Sequence, residues 1–325
     1  MNRSSKQNDT LQNPVVWSDL GKRTTVVVQG EDAVSFVDNF TTAAVSRLQP
    51  GQGSEAFFTD SRGRVLVFAV IMRLTNGLMI DAEQGCGSSL CEHLGHYHIR
   101  EKVDFFDGSD SWRNFLLIGQ TVLHDLMTDL DACEGASQSG SSIEHLFGHA
   151  EYTLGTARVH VLQTDWWGQN GWMIRCQENE QTTILEWLQA NQRTQIDHDA
   201  LEAARIEQGT PSKKDIGEKT LPQELVRNAR AISFTKGCYL GQETVARLDA
   251  LGHVNRKLTA LSFEGNAFSG EEVLADDKHV GNLSSCCYSP QLGCGLGLGV
   301  LSTRVANAAK ISVAGVDAEI RKVPL

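Results

Sequence analysis

The stretch FTKGCYLGQET, Phe234 to Thr244, sets a single cysteine between two glycines and beside a lysine. Gly237 and Gly241 bracket a tight loop, because glycine reaches backbone conformations closed to other residues. QETVARL places Val245 and Leu248 at helical spacing, so a helix starts near Gly241 or Gln242. Cys238 then lies just before a helix N-terminus, and the helix end together with the Lys236 ammonium favours thiolate. Free backbone donors in such a loop suit an anion or a ring carbonyl. A reactive thiolate is one reading. A neutral side chain filling a tight turn is the other, and the residue pattern alone does not choose between them.

Other clusters carry weaker signals. His93, His96 and His98 form an H-x-x-H-x-H run, but Gly95 is expected to end the helix and no carboxylate completes a ligand set. Cys286, Cys287 and Cys294 fit no common metal spacing, so no metal site is expected. GCGLGLG, Gly293 to Gly299, fails the dinucleotide spacing and reads as glycines in a strand or bend. Arg205 and Glu207, two apart near a helix end, point to different faces: one could face a ligand and the other a neighbouring strand, or both a solvated end. Trp166-Trp167 is either a packing wedge or the wall of an aromatic-ligand pocket. Between Arg227 and Lys257, Arg230, Lys236, Arg247 and Arg256 add to a basic excess over Glu243 and Asp249. That excess suits an anionic ligand tail, or an ordinary charged surface.

These residues must be held by a substantial fold. The chain has 325 residues, 41 % of them apolar, and a formal charge of −11. At roughly 100–200 residues per domain, two or three domains are expected. The acidic total argues against a general nucleic-acid binder. No apolar run reaches the roughly 18 residues of a membrane helix. The eight cysteines are scattered and read as mostly reduced and buried. The polar start reads as a disordered tail over 1–13, and the expected compartment is the cytoplasm, with a mitochondrial address the alternative.

RTTVVVQGEDAVSFVDNF reads as strand, turn and helix, with Asp32 as N-cap. Three strands follow in 55–83, with turns at DSRG and TNG. CGSSLCEHLGHYHI is a helix with Leu90 and Leu94 inward, and RNFLLIG is a buried strand. ASQSGSSIE is a loop by composition. ARVHVLQTDWWGQNGWMIRC is a hairpin turning at Gly168, Asn170 and Gly171. TTILEWLQAN and DHDALEAARIEQG are helices, the second starting at Asp197 or Asp199 and stopping at Gly209. After Arg256, short strands with glycine turns predict a small all-β barrel. The expected division is an α+β region over 14–255 and a barrel over 256–325.

KGCYLGQE resembles the signature of the YgfZ family of folate-binding proteins, relatives of the glycine-cleavage T-protein. Lys236, Gly237, Cys238, Tyr239, Gly241, Gln242 and Glu243 agree with it, and Arg247 fits its continuation. ARIEQGTP, LPQE, TDSRGRVL and GHVNRKL are similar to further family stretches in the same order, so the resemblance covers most of the chain from about Val26. It implies an α+β ring of two ferredoxin-like α/β subdomains plus a C-terminal small β-barrel, with tetrahydrofolate or a one-carbon derivative in the central opening. It implies an accessory role in the assembly or repair of iron–sulfur enzymes, with iron–sulfur client or assembly proteins as partners. By the same resemblance Cys238 and Lys236 are the reactive pair, Lys236 lowering the thiol pKa. Gln169, Arg205, Tyr239, Gln242, Glu243 and Arg247 are the cofactor-binding set: Gln169 and Arg205 at the pterin end, Tyr239 beside the ring, Glu243 and Arg247 bracing the loop. T-proteins carry an Asp-Asp pair where this chain has Val67 and Phe68, and an apolar pair cannot bear the charge used in aminomethyl transfer. Where T-proteins have a glutamate in the second hairpin turn, this chain has Gln169, which hydrogen-bonds but brings no charge. The alternatives are a folate-dependent aminomethyl or methyl transferase, and a scaffold with a vestigial folate site.

Overall fold

The computed structural model describes residues 15–133, 142–191 and 193–324. The expected tail over 1–13 and most of the ASQSGSSIE loop lie outside the described residues.

Strand propensity and alternation build a first, wholly antiparallel sheet. Its order is Gly53–Thr59, Val65–Leu74, Gly77–Ala82, Thr24–Gln29 and Asp104–Asp107. Because successive strand residues face opposite ways, Phe58, Val67, Ala69 and Ile71 meet the helices Ala33–Asp38 and Gly87–Tyr97 on one face. Phe57, Phe68, Val70 and Met72 go to the other face and pack against Leu116, Leu162 and Met173 of a second sheet. The two α/β layers therefore share one core.

The second sheet has the order Thr194–Gln195, Val16–Gly21, Trp112–Ile118, Gly171–Gln177, Ala157–Thr164, His149–Leu154 and Asp131–Ala132. Its first pair is parallel and the others are antiparallel. Helices Val122–Asp129 and Gln181–Ala190 close its outer face over Phe115, Val159 and Ile174. The chain is interleaved: Val16–Gly21 belongs to the second sheet, and after Lys22 and Arg23 the strand Thr24–Gln29 joins the first.

Helix His198–Glu207 begins on Asp197, whose carboxylate accepts from Ala200 N at 2.9 Å, and ends before Gly209 at φ 63°. From there the chain returns to the first subdomain and ends in helix Gln242–Leu251. The strand Arg256–Phe263 opens a third sheet of seven antiparallel strands, curled into a half-barrel. Its GCGLGLG stretch lies in the strand Cys294–Ser302, where Gly297 lets the Leu283 side chain approach to within 2.8 Å of where a Cβ would stand.

The α+β class with two α/β layers and a C-terminal barrel is the one expected from sequence. Two local expectations fail. Asp32 sits at the N-cap position but makes no cap bond; its carboxylate instead accepts from Lys102 N at 2.8 Å, tying the helix entry to the far loop. Gly95 does not end its helix, which runs on to Tyr97 because Tyr97 packs with Phe40 at 5.2 Å.

Candidate functional site

A cavity of about 740 Å³ opens where the two sheets and the 195–218 segment meet. Val65, Val67 and Phe68 line it from the first sheet, and Ser18 and Leu20 from the second. The hairpin turn contributes Trp166 and Trp167, and helix His198–Glu207 contributes Leu201, Glu202 and Arg205. The volume suits a mid-sized organic ligand. Phe68 stacks on Trp166 at 5.1 Å, and Trp166 lies 5.9 Å from Trp167, so one wall is aromatic. The packing reading of the tryptophan pair holds for Trp166, which donates Nε1 to buried Glu55 at 2.7 Å, and both residues line the cavity.

Val67 and Phe68 are both buried in this wall, with no carboxylate in their place. Three of the carboxylates that do line the cavity are engaged by neighbours. Asp60 accepts from the N–H groups of Arg62 and Arg64, Glu83 from Lys213 N, and Glu202 from Arg205. Burial pushes the Glu202 carboxyl up, but the Arg205 hydrogen bonds and charge outweigh it and hold the group below the usual range.

Arg205 reaches the cavity wall as part of a fixed knot. Nε and Nη2 donate to Glu202 at 2.9 and 2.7 Å, and Nη1 donates to Asp215 at 3.0 Å and to the Thr210 carbonyl at 2.5 Å. Asp215 also accepts from Ser212, Ser284 and Ser285, which joins the cavity loop to the barrel. Glu207 does point the other way, accepting from Ser289 of the barrel at 3.0 Å.

The KGCYLGQE loop lies on the first subdomain. Leu240 N donates to Asn39 O at 2.8 Å and Thr59 Oγ1 donates to Leu240 O at 2.6 Å. Gly241 has φ 82°, and a Cβ there would stand 2.5 Å from Asp60 O and 2.6 Å from Gly63 Cα. The loop therefore crosses the DSRG hairpin backbone to backbone, and only glycine fits. Cys238 is exposed on this loop. Lys236 turns inward: its ammonium donates to the carbonyls of Asp38, Thr41 and Ala43 and pairs with Asp38 at 3.1 Å. Burial pulls its pKa down against the pull of Asp38. The ring of Tyr239 packs in the shared core, 5.3 Å from that ammonium, and burial pushes its phenol up to about 12.

The cavity thus brings together Arg205, Val67, Phe68 and the tryptophan pair. Cys238, Lys236, Tyr239 and Gln242 are held on the neighbouring loop and are not among its lining residues, and neither is Gln169, exposed at the tip of the second hairpin. Glu243 and Arg247 are exposed on the outer side of helix Gln242–Leu251. The basic excess is divided: Arg227, Arg230 and Lys236 turn inward, while Arg247, Arg256 and Lys257 are exposed. Arg227 and Arg230 pair with Glu55 at 2.7 and 3.2 Å, and Arg256 pairs with Glu224 at 3.0 Å. The cations that line the cavity are instead Lys22, Arg23, Arg64, Arg205 and Lys213. Arg23, Asp81, Glu55 and Asp215 were not singled out from sequence; the signal for Glu55 and Asp81 was a lone carboxylate inside an apolar strand.

The sequence matches two family profiles: the GCVT N-terminal domain over residues 4–236, and the glycine cleavage T-protein C-terminal barrel domain over 256–325. A chloroplastic protein of Arabidopsis thaliana named as a transferase is 26 % identical over 315 residues, covering 95 % of this chain and 70 % of that protein. The tRNA-modifying protein YgfZ of Colwellia psychrerythraea is 27 % identical over 257 residues, 77 % of this chain and 72 % of its own. The mitochondrial iron–sulfur cluster assembly factor IBA57 of Homo sapiens is 23 % identical over 264 residues, 75 % of this chain and 65 % of its own. The solved glycine cleavage system aminomethyltransferase T of Bartonella henselae shares the fold, with TM-score 0.80 over 96 % of this chain and 86 % of that one, at 16 % identity. Among the described residues no helix is long and apolar enough to cross a membrane.

Proposed function

The chain belongs to the glycine-cleavage T-protein family, and from that premise we propose that it binds a reduced folate in the cavity and serves iron–sulfur enzymes as an accessory protein. The observation that carries this is the cavity wall itself: large, aromatic, and apolar at Val67 and Phe68. Phe68 can flank a flat ring, and neither residue can supply the charge that aminomethyl transfer uses. The KGCYLGQE match, and relatives named YgfZ and iron–sulfur cluster assembly factor, support the accessory role within the family.

The residues present fit a folate. Phe68, Trp166 and Trp167 offer aromatic faces to a pteridine, Leu66 and Leu201 add apolar cover, and Arg64 offers a cation to a carboxylate-bearing tail. Bound tetrahydrofolate would supply a carrier for a one-carbon unit. The protein's part is to exclude water from the ring and hold its orientation. Cys238, exposed on a loop braced by Gly241 and Leu240, is presented outward, where a client protein can reach it.

Two experiments test this. Cells lacking the protein are complemented with wild type or Cys238→Ala, and the activity of iron–sulfur enzymes is measured. Wild-type rescue with loss in the variant is expected; equal rescue removes the thiol from the function. A radiolabelled one-carbon transfer assay tests the transferase reading, which the name of the Arabidopsis relative favours. No turnover above background is expected, and clear turnover would make the protein an enzyme after all.

A further inference from the structure

Arg23 lies where the chain passes from the second sheet to the first. Its side chain is only 8 % exposed. Nε donates to both oxygens of Asp81 at 3.1 Å, and Nη2 donates to Oδ2 at 2.7 Å. Nη1 has no hydrogen-bond partner among the described residues. The guanidinium carbon stands 5.6 Å from the Trp166 ring centroid and 5.5 Å from that of Trp167. Arg23, Phe68 and both tryptophans line the same cavity.

The local charge is unbalanced. Asp81 is shared with Arg175, whose Nη2 lies 3.6 Å from Oδ1, so two buried guanidiniums face one carboxylate. Water reaches Nη1 where Arg23 lines the cavity, so an acceptor on a ligand can replace that water. An arginine clamped on two nitrogens and held near two indoles is also pre-organised, since little side-chain freedom remains to be lost on binding.

We propose that Arg23 is the ligand-facing cation of this cavity, and that it selects a flat heterocycle presenting an acceptor oxygen beside Trp167. The inference rests on the folate reading above and adds a specificity determinant to it. Two oxygens of a reduced folate have this chemistry, the ring carbonyl and the oxygen of a formyl group. Either would accept from Nη1. A ring that carries an amino group in place of the carbonyl would set donor against donor.

The test compares three probes by calorimetry: tetrahydrofolate, 5-formyltetrahydrofolate, and a 2,4-diaminopteridine analogue whose ring carbonyl is replaced by an amino group. Each is titrated into wild type and Arg23→Gln, with Arg23→Lys as the second variant should the first not fold. The ratio between probes is the readout, because a general loosening of the fold lowers all affinities together. If the ring carbonyl is the acceptor, wild type prefers tetrahydrofolate over the diamino analogue by about tenfold or more, and Arg23→Gln brings that ratio near unity. If the formyl oxygen is the acceptor, the preference for the formyl compound collapses instead. Survival of both ratios in the variants overturns the assignment of Arg23 and leaves the folate reading intact. Failure of wild type to bind any of the three overturns both.

Discussion

Replacing Arg205 with alanine isolates what the knot at the cavity wall is worth. The substitution removes two bonds to Glu202, one to Asp215 and one to the Thr210 carbonyl. Glu202 is 17 % exposed and can rehydrate, but Asp215 is fully buried and loses its counter-ion. The hydroxyls of Ser212, Ser284 and Ser285 still donate to Asp215, which limits the loss. Breaking a buried pair typically costs 3–5 kcal/mol, so the low end, about 3 kcal/mol, is expected. At roughly 2–4 °C per kcal/mol for a chain of this scale, the melting temperature falls by about 6–12 °C. Differential scanning calorimetry measures it directly, and urea titration should move the midpoint with little change in slope. Arg205→Lys keeps the charge without the fork and is expected to recover less than half of the loss. A variant melting within about 2 °C of wild type would refute the claim that Arg205 is the counter-ion that holds buried Asp215 in place. The same reasoning means that a weaker folate affinity in Arg205→Ala would not by itself mark a ligand contact.

Three further outcomes are expected. Gly241→Ala forces a Cβ into the DSRG backbone at a left-handed φ, so it should destabilise by about 1–3 kcal/mol and raise the rate at which a thiol reagent modifies Cys238; an unchanged melt and thiol rate would contradict the tight crossing. Lys236→Met leaves the carbonyls of Asp38, Thr41 and Ala43 without their shared donor, and a loss of about 2–4 kcal/mol in urea denaturation is expected, against none if the ammonium is dispensable. His149 and His160 are buried with their ring nitrogens 3.0 Å apart, and burial lowers His149 to about 4 and His160 well below its ordinary value. Unfolding frees both rings to take protons below about pH 6.5, so stability present above that pH is lost as pH falls towards 4. Denaturation midpoints at pH 7 and pH 5 should differ clearly in wild type and much less in a His149→Gln, His160→Phe double variant; an equal slope in both would rule the pair out as its source.

Much of the fold could be read from local pattern, because the forces that set it are local. The alternation of 65–74 and the caps at Asp197 and Gly209 each act within a few residues, and each element stands where its own sequence puts it. The KGCYLGQE loop was legible in part for the same reason: Gly241 answers to one tight crossing, whereas Gly237 has no left-handed φ and open space where a Cβ would stand. What could not be read were pairings across long stretches of chain. Lys236 sits two residues from Cys238, yet its ammonium is drawn to three carbonyls nearly 200 residues earlier in the chain. Arg227 and Arg230 looked like a surface for anions, but Glu55 on the first sheet pairs with Arg227 and Asp165 pairs with Arg230. The cavity is assembled from separate segments between Ser18 and Glu218, so no single stretch announces it. Arg23 in particular gives no local sign, because its meaning depends on Asp81 and on indoles more than 140 residues away.

The central claim is that the cavity walled by Phe68, Trp166 and Trp167 holds a reduced folate. The most direct test is calorimetric titration of the purified protein with tetrahydrofolate and 5-formyltetrahydrofolate, alongside Trp167→Ala. Micromolar binding, about −8 kcal/mol, is expected, weakened at least tenfold in a variant that still melts cooperatively. Absence of binding to either compound, or binding that Trp167→Ala leaves untouched, would contradict it.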